Sequence, residues 1–101
     1  MSDAVFLNIP TEDVAGVCRR YQVRELALFG SVLREEHGSE SDVDLLVSFQ
    51  PTARVTFVTL ARMQRELEAL FGRRVDLVPK EGLKPVIRDE VLAVARVVYA
   101  A

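Results

Sequence analysis

Gly30-Ser31-Val32-Leu33-Arg34, followed by Ser41-Asp42-Val43-Asp44-Leu45-Leu46-Val47, is the stretch on which the reading of this chain turns. It joins a tight Gly-Ser turn to two aspartates set two residues apart at the start of an apolar run. Side chains alternate along a strand, so Asp42 and Asp44 share one face while Val43, Leu45, Val47 and Phe49 share the other. Two acids beside a polar turn make a poor core and a good seat for a divalent cation. The expectation is metal-dependent phosphoryl chemistry.

Upstream, Glu25-Leu26-Ala27-Leu28-Phe29 reads as a short strand ended by Gly30-Ser31. Ser31 is a candidate cap for a brief helix through Arg34 and Glu36. Before it, Pro10-Thr11-Glu12-Asp13 looks like a helix start with a capping hydroxyl and acids in the first turn. Val14, Val17, Cys18 and Tyr21 recur at i, i+3, i+4, i+7, the stripe this helix should bury. Residues 1–9 are a short lead-in that the pattern leaves ambiguous.

Downstream, 37–41 is a polar loop and strand 42–49 stops before Pro51. A long helix is expected from about Thr52 to Phe71, with Phe57, Leu60, Ala61, Leu67 and Phe71 on its buried face and Gly72 just beyond its end. Strand 74–78 is closed by Pro79. A last helix has Pro85 near its first position and is carried by Val86, Ile87, Val91, Leu92 and Ala95. The tail Val97-Val98-Tyr99 fits either its final turn or a short strand. The order of elements gives one α/β or α+β domain over residues 1–101, with a small sheet packed against helices.

Composition narrows the function classes. The chain has 101 residues, half of them hydrophobic, enough for a single core. A net charge of −2 gives no reason to expect general nucleic-acid binding. The positive charge is nearly all arginine, whose planar fork suits carboxylate and phosphate partners. A single cysteine, Cys18, excludes an internal disulfide and fits a reducing cytoplasm. There is no apolar stretch near the roughly 20 residues a membrane span needs, and no signal-peptide pattern. A soluble, cytoplasmic protein is expected.

Asp76 lies between Val75 and Leu77, which face the core, so its side chain takes the opposite face. If strand three pairs beside strand two in suitable register, Asp76 joins Asp42 and Asp44. Three such carboxylates repel: at an effective dielectric near 20, two unit charges about 4 Å apart cost on the order of 4 kcal/mol. Oxygen-loving Mg²⁺ or Mn²⁺ is the natural compensation. Two such ions about 3.5–4 Å apart would bridge phosphates and stabilise both attacking and leaving oxygens. Gly30 lets backbone approach phosphate, Ser31 offers a hydroxyl, and Arg34 reaches the same phosphates or braces the loop.

Each element has a plainer explanation. A lone D-x-D is usually a pair of solvated acids, Gly-Ser a simple turn, and a single Asp76 a surface residue. A helix-loop-helix calcium site is excluded, since Asp42 and Asp44 run straight into Leu45-Leu46-Val47 without a central glycine. Cys18 reads as core. His37 reads as solvated, and Arg62, Arg65, Arg73 and Arg74 as solvent-facing. What chance does not readily produce is the whole series in this order.

The series GSVLREEHGSESDVDLLVSF (30–49), RVDLVP (74–79) and GLKPVIRDEVLAVARVVYA (82–100) closely resembles the minimal nucleotidyltransferases (MNT) of the polymerase-beta-like superfamily, best known as prokaryotic antitoxins. The resemblance implies that superfamily's fold, a mixed sheet of three to four strands with helices. It assigns Gly30 and Ser31, with Arg34 nearby, to nucleotide phosphate and Asp42 and Asp44 to Mg²⁺. Asp76 becomes the third acid, completing the metal site and helping to deprotonate the acceptor. Glu35 stands where many relatives have glycine. The resemblance further implies transfer of AMP from ATP to a tyrosine hydroxyl of a cognate HEPN ribonuclease toxin, in a type VII toxin–antitoxin pair that forms a hetero-oligomer. Its rivals are an antitoxin acting by stoichiometric binding alone, and a small-molecule nucleotidyltransferase, for which so short a chain leaves no acceptor domain.

Overall fold

The computed structural model describes residues 9–29 and 43–101. The first helix, α1 (Thr11–Arg20), buries Val14, Val17 and Cys18, as the stripe requires. Its start differs from expectation. Pro10 is the N-cap, no side chain caps the helix, and the first turn is closed by Val14 N–H donating to Pro10 O at 2.9 Å. Glu12 and Asp13 in the first turn and Arg19 and Arg20 in the last complement the helix dipole instead. Gln22, at φ 59, turns the chain into the sheet.

Strand β1 (Val23–Phe29) is two residues longer than its apolar run suggested. It pairs antiparallel with β2 (Val43–Phe49), with Leu28 opposite Leu45, Leu26 opposite Val47 and Phe29 opposite Asp44.

Helix α2 (Phe57–Phe71) begins five residues later than expected. Thr56 and Thr59 set the start by reciprocal capping: Thr59 N–H donates to Thr56 Oγ1 at 3.2 Å, and Thr56 N–H to Thr59 Oγ1 at 3.1 Å. The buried face also differs from expectation. Phe57 is 91% exposed and Ala61 is exposed, while Met63 and Leu67 are fully buried and Leu60, Leu70 and Phe71 pack beside them. Gly72 ends the helix at φ 68, as expected, its N–H donating to Glu68 O.

Strand β3 (Val75–Pro79) then runs parallel to β2. A short 3₁₀ turn (Lys80–Gly82) leads to α3 (Pro85–Val94), with Pro85 in its first turn. The tail resolves as a strand, β4 (Arg96–Ala100), antiparallel to β1. The sheet order is β3-β2-β1-β4.

One sheet face, carrying Leu26, Leu28, Val43, Leu45, Val47, Val75 and Leu77, forms the core with α1 and α2. Helix α3 does not join it. The sequence put Val86, Ile87, Val91, Leu92 and Ala95 on a buried stripe, yet α3 buries no residue and Val86 is 80% exposed. Helices α1 and α2 already fill the apolar face, and the opposite face offers α3 an apolar row of Ala27, Leu46, Val78 and Val97 set between Asp44 on one side and Ser48 and Glu25 on the other. Arg73 also departs from expectation, being half-buried with an Nη1 that has no hydrogen-bond partner among the described residues. Arg62, Arg65 and Arg74 are exposed as expected. Among the described residues no helix is long and apolar enough to cross a membrane.

Outside the sheet, α1 and α2 are clasped at Glu66. Arg20 Nη2 donates to its Oε1 at 2.5 Å, the Tyr21 hydroxyl donates to its Oε2, and the Arg20 guanidinium lies 5.8 Å from the Tyr21 ring centre.

Candidate active site

Two aspartates are paired in register where the sheet's parallel strands begin. Asp44 is the second residue of β2 and Asp76 the second of β3, and the two are register partners, flanked by Val43–Val75 and Leu45–Leu77. Those flanking residues point into the core, so both aspartates point to the opposite face. Adjacent strands lie about 4.8 Å apart, which sets the spacing from which the two side chains leave the backbone. Asp44 is half-buried and Asp76 exposed, leaving the pair open to solvent from the β3 side.

The backbone beneath the pair is tied on both strands. Val43 N–H donates to Arg74 O at 2.8 Å, joining the strand starts, and Val75 N–H donates to Glu68 Oε2 at 3.0 Å. The second bond reaches from α2 across the Gly72 turn to the residue before Asp76. Glu68 thus anchors the backbone of β3 next to Asp76, a contact the sequence reading missed. A glutamate seven residues before a strand residue carries no recognisable signal of such a bond.

Of the residues singled out from sequence, the structure brings Asp44 and Asp76 together. Gly30, Ser31, Arg34, Asp42 and His37 lie outside the described residues. Among the described residues no group of three His, Cys, Asp or Glu side chains stands ready to hold a metal; the Asp44–Asp76 pair is what they supply. Cys18 is fully buried and burial pushes its thiol up to about 12, which fits a core residue and not a nucleophile.

The chemistry of this pair is that of hard oxygen donors on an open sheet end. The comparisons with known proteins give the class. The profile of the nucleotidyltransferase domain family matches residues 14–98. Protein adenylyltransferase MntA of Thermococcus cleftensis is 44% identical over 73 residues, 72% of each chain. A solved structure described as a minimal nucleotidyltransferase superposes with a TM-score of 0.70 at 41% identity, covering 84% of this chain and 85% of that one. A tri-AMPylated Shewanella oneidensis HEPN toxin in complex with its MNT antitoxin matches with a TM-score of 0.64 at 16% identity, covering 90% of this chain and 70% of that one, a likeness of fold. The chain belongs to the nucleotidyltransferase domain family, in its minimal (MNT) branch, and is a nucleotidyltransferase.

Proposed function

We propose that the protein is a Mg²⁺-dependent antitoxin that transfers AMP from ATP to a tyrosine hydroxyl of a cognate HEPN-type toxin in the cytoplasm. The observation that carries this reading is the in-register pairing of Asp44 with Asp76 on the open face of the sheet. It is supported by 44% identity to a protein adenylyltransferase and by fold likeness to an MNT antitoxin in complex with an AMPylated HEPN toxin.

Carboxylate pairs are the donor set Mg²⁺ and Mn²⁺ prefer, so the residues present fit the cation the family implies. Asp44 and Asp76 would hold it, with Asp42 from the adjoining segment. When bound, the cation lowers the pKa of the acceptor hydroxyl and neutralises charge on the departing pyrophosphate. Gly30, Ser31 and Arg34 grip the ATP phosphates. Asp76, the more exposed acid, accepts or orients the phenol proton. The phenol oxygen then bonds to the α-phosphorus, the α–β bridge bond breaks, and pyrophosphate leaves with its electrons. The bulky anionic adduct would deny RNA access to the toxin.

Incubating the protein and its chromosomal neighbour with ATP and Mg²⁺, then weighing the neighbour, tests this reading. A mass gain of whole AMP units is expected. No gain, or an equal gain from Asp42→Asn/Asp44→Asn, refutes it.

A second reading is stoichiometric occlusion of the toxin, favoured by the exposed apolar residues Phe57, Val86 and Val94. In that case the double aspartate variant still neutralises the toxin in cells.

A further inference from the structure

Side chains on the open face of the sheet fall into rows that the strand register aligns. The first row is Asp76, Asp44 and Phe29. Two residues along each strand, about 6.6 Å away, lies a second row: Val78, Leu46, Ala27 and Val97. A third row begins with Ser48 opposite Glu25. The character changes from acidic to apolar to polar along the strands.

Over the second row passes the end of α3. A cavity of about 250 Å³ lies there, lined by residues of the sheet and of the end of α3. Leu46, Ala27 and Val97 form the floor, Leu92 and Ala95 the roof. The alanine stands between its two larger register partners and hollows that floor. The far wall is Ser48, Glu25 and Lys80, with Lys80 Nζ 3.6 Å from Glu25 Oε1. This wall offers an ammonium donor, a carboxylate acceptor and a hydroxyl that serves as either.

We infer that this cavity is the nucleobase pocket of the enzyme: the base of the bound nucleotide slides between the Leu46–Ala27–Val97 floor and α3, with its polar edge toward Ser48, Glu25 and Lys80. The inference rests on the function proposed above, which puts the nucleotide's phosphates at Asp44 and Asp76. From there the base finds, among the described residues, an apolar slot within a row's distance. A flat ring needs two apolar walls for its faces and polar groups for its rim, and that is the order in which the cavity presents them.

Binding of MgATP and of magnesium tripolyphosphate, measured side by side by calorimetry, tests the pocket, since tripolyphosphate carries the phosphates without a base. Wild type should bind MgATP about tenfold or more tightly than tripolyphosphate. Ala95→Leu, which fills the cavity from the helix side, should abolish that advantage and leave tripolyphosphate binding unchanged. Ala27→Leu repeats the test from the sheet side, each variant checked for a wild-type melting curve. Tripolyphosphate binding without any ATP advantage in wild type, or an undiminished advantage in a folded Ala95→Leu, overturns the pocket while leaving the phosphate site standing. Failure of wild type to bind either ligand removes both.

Discussion

Asp44 and Asp76 are register partners on adjacent parallel strands, turned together away from the core. Nothing in packing calls for this, because the residues before and after each aspartate do all the burying. Two anions side by side repel each other, and removing one charge from the free protein should help it fold. Asp76→Asn is expected to raise the melting temperature in chelator by roughly 1–6 °C, the scale of an exposed charge interaction in a chain this size. Adding Mg²⁺ or Mn²⁺ should stabilise wild type and not the variant, since a ligand bound only by the native state shifts the equilibrium toward it. Thermal denaturation with and without the ions reads both effects.

Helix α2 matters to the site because β3, and so Asp76, follows directly from its end. Thr56→Ala removes a reciprocal cap and should cost about 1 kcal/mol. Gly72→Ala should cost roughly 1–2 kcal/mol through backbone strain alone, because φ is 68 and an added methyl would meet nothing within 4 Å. Gly72→Asn should lose less than Gly72→Ala, as asparagine tolerates that conformation. Urea titrations of the three variants give the order.

Glu68→Gln keeps the length of the side chain that accepts from Val75 N–H at 3.0 Å and removes its charge; Glu68→Ala removes the acceptor. Transfer activity should fall with Glu68→Ala through kcat, as Asp76 loses its anchor, and largely recover with Glu68→Gln. A loss confined to KM for ATP would argue against a positioning role.

Acid should loosen the α1–α2 clasp. Hydrogen bonds from Arg20 and then Tyr21 hold the Glu66 carboxyl below its ordinary value of 4.5. A depressed carboxylate contributes stability that is complete above the unfolded value and disappears as pH falls through the folded one. Wild type should therefore exceed Glu66→Gln in stability at pH 6 and lose that margin progressively below pH 4.5. Melting curves of both proteins across this range check the sign.

Cys18 should behave as buried matter. Its thiol, raised from 9.0 to about 12 by desolvation, stays protonated where the unfolded chain's thiol ionises. Stability carried by this group is full below pH 9.0 and falls as pH rises toward 12. Thiol reagents at pH 8 should label it only at the rate of unfolding, with the label appearing at once in denaturant.

The parts of this structure legible in the sequence are those where one local rule decides. Alternation along β2 and β3 placed Asp44 and Asp76 on the face opposite Leu45 and Leu77, the α1 stripe placed Val14, Val17 and Cys18, and Gly72 ended α2. What escaped depended on competition or on distant partners. The helix was expected from about Thr52, but the paired threonines at 56 and 59 held the start later and left Phe57 outside. An apolar stripe on α3 says that one side is greasy, not that the sheet has room for it. The tail became β4 because β1 offered a free edge, which no local pattern at Val97-Val98-Tyr99 reveals.

The account depends above all on a divalent cation sitting between strands β2 and β3. Titrating Mn²⁺ into the protein and counting free ion by electron paramagnetic resonance addresses this without any substrate or partner. Saturable binding by wild type, weakened about tenfold or more in Asp44→Asn and in Asp76→Asn, is the expected result. Identical Mn²⁺ uptake by wild type and both variants would contradict it.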